Sequence, residues 1–185
     1  GGQLLDISLE AAGSESVELA NSVNRYKTAA YTIERPLHLG AAIAGASEEL
    51  IAAFRGYGHD IGIAYQLRDD QLGVFGDPAV TGKPAGDDLR EGKRTELLAL
   101  ALQRADESDP QAAATLRKLI GHTSDPQELS RLAQIIADSG APEEIERRID
   151  SLTQSGLQHL RAAQVDPTVT ETLEQLAIKA TARRK

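Results

Sequence analysis

Cysteine, methionine and tryptophan are all missing from this 185-residue sequence. The lack of cysteine rules out disulfides, thiolate nucleophiles and thiolate-bound metals. Aromatic residues make up only 3% of the chain, so any core must be packed from aliphatic side chains and alanine. There is no apolar run of about 18 residues, the length a membrane-crossing helix needs, and no signal peptide is visible. The chain therefore reads as cytosolic. A net charge of −8 provides no basic field to attract a phosphate backbone, which argues against nucleic acid as a partner. With not even a first methionine, the chain is expected to be a processed or truncated piece. Gly1-Gly2 reads either as a cloning remnant or as the start of a motif that continues into Gln3.

What the sequence does contain is helix. A hydrophobic content of 41% over 185 residues suits one globular domain spanning residues 1–185. Helical spacing runs over residues 3 to 12 (Leu4, Leu5, Ile7, Leu9) and 15 to 34 (Val17, Ala20, Val23). Pro36 should kink or restart the chain there, because it lacks an N–H and biases Arg35 away from helical backbone. Ser47, followed by Glu48 and Glu49, reads as the N-cap of a long helix reaching Phe75. Residues 76 to 94 hold Gly76, Pro78, Gly82, Pro84, Gly86 and Gly92, too many breakers for a helix, and they exceed the usual helix connection of about 2–8 residues.

Beyond this loop the chain reads as structural. Helices are predicted over 96 to 106 and 111 to 120. Another starts at Asp125-Pro126 with Glu128, buries Leu129, Leu132 and Ile136, and ends at Gly140. The next starts at Pro142 and places Ile145, Ile149, Leu152, Leu160 and Ala163 at helical spacing. The last opens at Asp166-Pro167 with Val169, Leu173, Leu176 and Ala180 inward. His38, His59, His122 and His159 have no metal-like spacing and are given no chemistry.

The chemistry concentrates in Tyr65-Gln66-Leu67-Arg68-Asp69-Asp70-Gln71-Leu72-Gly73. Gln66, Asp69, Asp70 and Gly73 stand at i, i+3, i+4 and i+7, so an amide and two carboxylates share one helix face. Apolar residues on other sides (Ile61, Ile63, Leu67, Leu72, Val74, Phe75) put that helix in the middle of a bundle. Most Asp-Asp pairs are solvated faces or caps. Neighbouring acids withdrawn from water, however, repel each other unless a cation lies between them, and oxygen-only ligands suit magnesium or calcium. Lys83 and Lys93 follow in flexible, turn-forming sequence, where their ammonium groups can swing toward an anion that the metal also holds. Acids followed by mobile lysines suggest a metal with a phosphate.

The run Tyr65-Gln66-Leu67-Arg68-Asp69-Asp70, with Thr81-Gly82-Lys83-Pro84, Gly86, Asp88-Leu89 and Glu91-Gly92-Lys93-Arg94-Thr95, resembles the second aspartate-rich region of trans-isoprenyl diphosphate synthases. Bacterial geranylgeranyl and farnesyl diphosphate synthases are the most similar. Gly2-Gln3 with Asp6, Tyr26-Lys27-Thr28-Ala29 and Arg35-Pro36-Leu37-His38-Leu39-Gly40 stand upstream in the family's order. The resemblance implies an all-α, isoprenoid synthase-type bundle of mostly antiparallel helices. This chain would be the C-terminal portion of a polyprenyl synthetase domain, lacking its N-terminal helices, in a cytoplasmic homodimer. It also implies a magnesium-dependent prenyltransferase that condenses an allylic diphosphate with isopentenyl diphosphate, giving a trans-prenyl diphosphate in the geranylgeranyl or farnesyl range.

Carried over residue by residue, Asp69 and Asp70 become metal ligands, and Asp88 joins the metal site as an acceptor for metal-bound water. Lys27, Lys83 and Lys93 grip diphosphate, Gln3 lines the allylic pocket, and Thr28 and Gln66 aim oxygen dipoles at the carbocation. The basic end Arg183-Arg184-Lys185 either complements a helix dipole or closes over the homoallylic diphosphate. Two departures stand out. Gly73 occupies the place of the family motif's third acid, with Asp77 a possible substitute, and the family's first aspartate motif belongs to a helix preceding Gly2-Gln3. The chain alone is therefore expected to be inactive, and Gly73→Asp in the full-length enzyme is expected to tighten magnesium binding. Gly73 also supports an alternative, a non-catalytic partner subunit or helical interaction protein of the same fold.

Overall fold

The computed structural model of the protein describes residues 15–23, 31–82 and 85–182. Every regular element among them is a helix: α1 (Val17–Val23), α2 (Arg35–Ile43), α3 (Glu48–Phe75), α4 (Pro78–Thr81), α5 (Asp87–Glu91), α6 (Glu96–Ser108), α7 (Pro110–Leu119), α8 (Pro126–Asp138), α9 (Ala141–Ala162) and α10 (Pro167–Thr181). The all-α expectation holds. The predicted helix over 3–12 lies outside the described residues.

One local rule sets four of the starts. At Asp77-Pro78, Asp109-Pro110, Asp125-Pro126 and Asp166-Pro167 the aspartate is the N-cap and the proline takes the first turn. Each carboxylate accepts a backbone N–H that has no intrahelical partner, for example Ala79 N–H at 2.8 Å and Gln127 N–H at 3.0 Å. Proline is tolerated there because its missing N–H is one of those orphans. Pro36 follows the same logic: a π-type turn over 31–34 leads into α2, where Pro36 sits in the first turn. Ser47 Oγ accepts the Leu50 N–H at 3.3 Å and opens α3 as expected.

The described residues fall into two compact units. One draws on Ser22–Arg68 and Arg147–Arg183. Its core joins Ala41, Phe54, Tyr57, Ile61, Leu157, Leu160 and Ala177. The Tyr57 hydroxyl donates to the Leu173 carbonyl at 2.8 Å, so a mostly buried phenol stays satisfied. The other unit includes Asp69–Glu146, and its buried side chains include Leu97, Leu102, Leu116, Leu132 and Ile136. No aromatic residue is needed to fill it.

Two expectations change. The stretch from 76 to 94 is not one open loop, because the caps at its breakers nucleate α4 and α5 within it. In α10 the inward stripe is Leu173, Ala177 and Thr181, at i, i+4 and i+8, whereas Val169 and Leu176 are 44% and 54% exposed. Apolar residues at 169 and 176 shared the helical spacing but lie on the next face round.

Burial pushes the Tyr57 phenol up to about 12, from an ordinary value near 10. Between those values the unfolded chain gives up its phenolic proton while the folded chain keeps it, so stability falls as pH rises through that window. Tyr57→Phe should cost about 1 kcal/mol at neutral pH through the lost hydrogen bond. It should also flatten the alkaline decline in denaturant midpoint between pH 10 and 12, and an unchanged slope would contradict this role.

Candidate functional site

The acids sit where α3 is well wrapped. Asp70 is 5% exposed, Asp69 is half-buried, and neighbouring Gln71 is buried with its amide donating to the Pro142 carbonyl at 3.0 Å. Gly73 follows Asp69 at i+4 and Asp70 at i+3, so all three positions share a face, with side-chain origins about 5–6 Å apart. This part of the sequence reading is matched by the helix as built.

The other half of the arrangement comes from α5. Gly86 and Gly92 bracket this helix with left-handed backbone, and Gly92, at φ +74°, turns the chain sharply back. The Lys93 N–H then bonds to the Asp88 carbonyl at 3.0 Å and the Gly92 N–H to the Leu89 carbonyl at 3.3 Å, a Schellman closure. The Leu89 carbonyl also accepts the Gly121 N–H at 2.9 Å, pinning α5 to the end of α7. This closure folds the Lys93 side chain over the helix it follows, and its ammonium pairs with the Asp88 carboxylate. Asp88 is 5% exposed, and Lys93 also lies 3.5 Å from Glu91. Burial alone would lower the Lys93 pKa, but the hydrogen bond and charge of Asp88, with Glu91, outweigh it and the net shift is upward. Asp87, 8% exposed, is held separately by Arg90.

α3 and α5 meet at Gly73. A Cβ built on Gly73 would overlap the Oδ2 and Cγ of Asp88. The Asp88 carboxylate thus fills the space that any side chain at 73 would need. The third acid absent from the α3 sequence has a neighbour of the same chemistry delivered from another helix. Asp77 cannot be that neighbour: it is exposed and its carboxylate caps α4.

The donors present are all carboxylate oxygens, which suits a hard divalent cation, and the cradle at Gly73 brings one of them to the face of the other two. Among the described residues no three His, Cys, Asp or Glu side chains are gathered into a metal cage. Magnesium commonly takes only one or two protein carboxylates and completes its shell with water and substrate phosphates, so two acids with a third close by remain a workable set.

Gln66 is half-buried on α3 in the first unit. Gln3, Lys27, Thr28 and Lys83, and the basic end at 183–185, lie outside the described residues. The expected benefit of Gly73→Asp is corrected: there is no room for that carboxylate while Asp88 is seated. The sequence reading also missed Glu96, 2% exposed in the first turn of α6, and the Asp60 carboxylate between His59 (2.9 Å) and His159 (3.7 Å). The Asp87–Arg90 pair could have been found from its i, i+3 spacing.

An all-helical chain with paired acids facing a lysine-bearing loop defines a class, a binder of metal and phosphate on a helical scaffold. More particularly, residues 1–138 match the polyprenyl synthetase family model, and the chain belongs to that family. It is 44% identical over 106 residues to a geranylfarnesyl diphosphate synthase of Aeropyrum pernix, covering 56% of this chain and 32% of that protein. It is 40% identical over 113 residues to a geranylgeranyl diphosphate synthase of Mycobacterium tuberculosis, covering 61% and 32%. Among solved structures, the geranylgeranyl pyrophosphate synthase of Corynebacterium glutamicum, complexed with isoprenyl diphosphate and magnesium, matches at 62% identity and TM-score 0.98. That match covers 100% of this chain and 52% of that one. A polyprenyl synthase of Caulobacter crescentus, complexed with calcium and isoprenyl diphosphate, matches at 29% identity and TM-score 0.83, covering 100% and 55%. The chain thus spans about a third of its named relatives and about half of these solved structures.

Gly73→Asp should lower folding stability by about 1–3 kcal/mol, as overpacking does. The double change Gly73→Asp/Asp88→Gly should recover much of that loss. Thermal unfolding of the set checks this, and a single variant as stable as the parent would contradict the clash.

Proposed function

We propose that the full-length protein is a magnesium-dependent prenyltransferase that joins an allylic diphosphate to isopentenyl diphosphate and yields a longer trans-prenyl diphosphate in the geranylgeranyl or farnesyl range. The observation that carries this reading is the meeting of Asp69, Asp70 and Asp88, with Lys93, around Gly73. Carboxylates crowded on one face call for a cation, and an ammonium beside them suits the anion that such a cation would share. The likeness to a Corynebacterium glutamicum enzyme described as binding isoprenyl diphosphate and magnesium supports the same chemistry.

In this reading Asp69 and Asp70 hold Mg2+, and Asp88 accepts from its coordinated water. The bound metal supplies Lewis-acid neutralisation of the departing diphosphate. Lys93 shares that charge from the α5 side, joined by Lys27 and Lys83 on the strength of the family resemblance. Gln66 and Thr28 present fixed oxygen dipoles toward the developing carbocation, and such preorganised dipoles favour the charged transition state without costly reorganisation. Gln3 contributes to the allylic pocket. The departing diphosphate accepts the final proton, so no side-chain base is required. The working form is a homodimer in the cytoplasm, in keeping with the finding that no described helix is long and apolar enough to cross a membrane.

Gly73, taken by itself, suits a partner subunit without activity. Asp88 in its space is what favours the enzyme. In the full-length protein, Asp69→Asn and Asp70→Asn should each lower kcat/KM for isopentenyl incorporation by roughly 100-fold or more, since each removes part of a charge interaction worth several kcal/mol. Chelation should abolish incorporation and added magnesium restore it. Full activity in Asp70→Asn, or in chelator, would overturn the proposal.

A further inference from the structure

The Gly73 cradle suggests more than a spare acid. An unpaired carboxylate at 5% exposure would be costly, and in the absence of a metal Asp88 has a resident cation, the Lys93 ammonium. That ammonium is placed by backbone rather than by chance, because the Schellman turn at Gly92 returns it to the helix bearing Asp88. The Asp88 carboxylate lies where the side chain of residue 73 would begin, one helical turn from Asp69 and Asp70. We infer that Asp88 is the third carboxylate of the metal face, seated in the space Gly73 leaves open, and that Lys93 is its stand-in counter-ion, exchanged when a divalent cation binds.

This inference rests on the reading of Asp69 and Asp70 as metal ligands and adds an order of events to it. Lys93 is held by Asp88 and Glu91 while the face is empty of metal. Once Asp88 turns to the cation, the ammonium is free to meet the diphosphate. Metal and diphosphate binding are then coupled through one side chain, and reciprocity requires that each tighten the other. A purely structural ion pair closing α5 would compete with nothing. Gly73 becomes a determinant of the site, since any Cβ there evicts Asp88.

The test is Mn2+ binding to the full-length protein without substrate, followed by electron paramagnetic resonance. Lys93→Gln should bind Mn2+ roughly 10-fold tighter because the competing cation is gone, an effect opposite in sign to that of a damaged fold. Asp88→Asn, which keeps the shape and loses the charge, should bind roughly 10-fold weaker or worse. Gly73→Ala should weaken binding similarly, and Gly73→Ala/Asp88→Asn should be no weaker than the worse single variant, because both remove the same carboxylate. Inorganic pyrophosphate should tighten Mn2+ binding in the parent and do so less in Lys93→Gln. Unchanged or weaker binding in Lys93→Gln, or unchanged binding in Asp88→Asn, overturns the inference. If Asp70→Asn still abolishes Mn2+ binding in that case, the two-acid reading survives. If Asp70→Asn also binds normally, both fail.

Discussion

Carboxylates that share a small, largely dry space set the terms for this molecule. Asp70 and Asp88 are each 5% exposed, and Asp69 is half-buried beside them. Like charges in such surroundings persist only with a cation among them, because repulsion and lost hydration act together. Lys93 provides that cation for Asp88. Much of the local architecture can be traced to delivering this one ammonium and this one carboxylate to the same glycine.

The delivery is made by backbone devices rather than by a large aromatic core. Aspartate caps followed by proline start four helices and fix where each begins. The positive φ of Gly92 ends α5 and reverses the chain within one residue. Anchoring of α5 through the Leu89 carbonyl and the Gly121 N–H means that Asp88 is carried by a helix tied to α7, not by a free loop. A site on tied elements holds charge in place before a ligand arrives, which is the condition for electrostatic catalysis.

How much of this was legible beforehand depended on range. Caps, the α3 face and the buried stripe Leu129, Leu132, Ile136 are local patterns, and they could be read directly. The acids were found for the same reason, since a helix fixes i, i+3 and i+4 neighbours without reference to the rest of the fold. In α10 the spacing of apolar residues fitted two faces, and packing chose Leu173, Ala177 and Thr181 over Val169 and Leu176. The role of Gly73 was out of reach. An absent side chain signals nothing until the atoms occupying its space are known, and Asp88 lies fifteen positions away on a different helix. Sequence reasoning therefore took the glycine for a defect in the motif, whereas the structure shows it as a seat.

The most direct test is the position of a metal in crystals of the full-length protein grown with Mn2+ and inorganic pyrophosphate. The account predicts an anomalous peak between the Asp69 and Asp70 carboxylates and Asp88, with the Lys93 ammonium moved from Asp88 to a pyrophosphate oxygen. A peak away from these acids, or Lys93 still paired with Asp88 beside a bound metal, would contradict it.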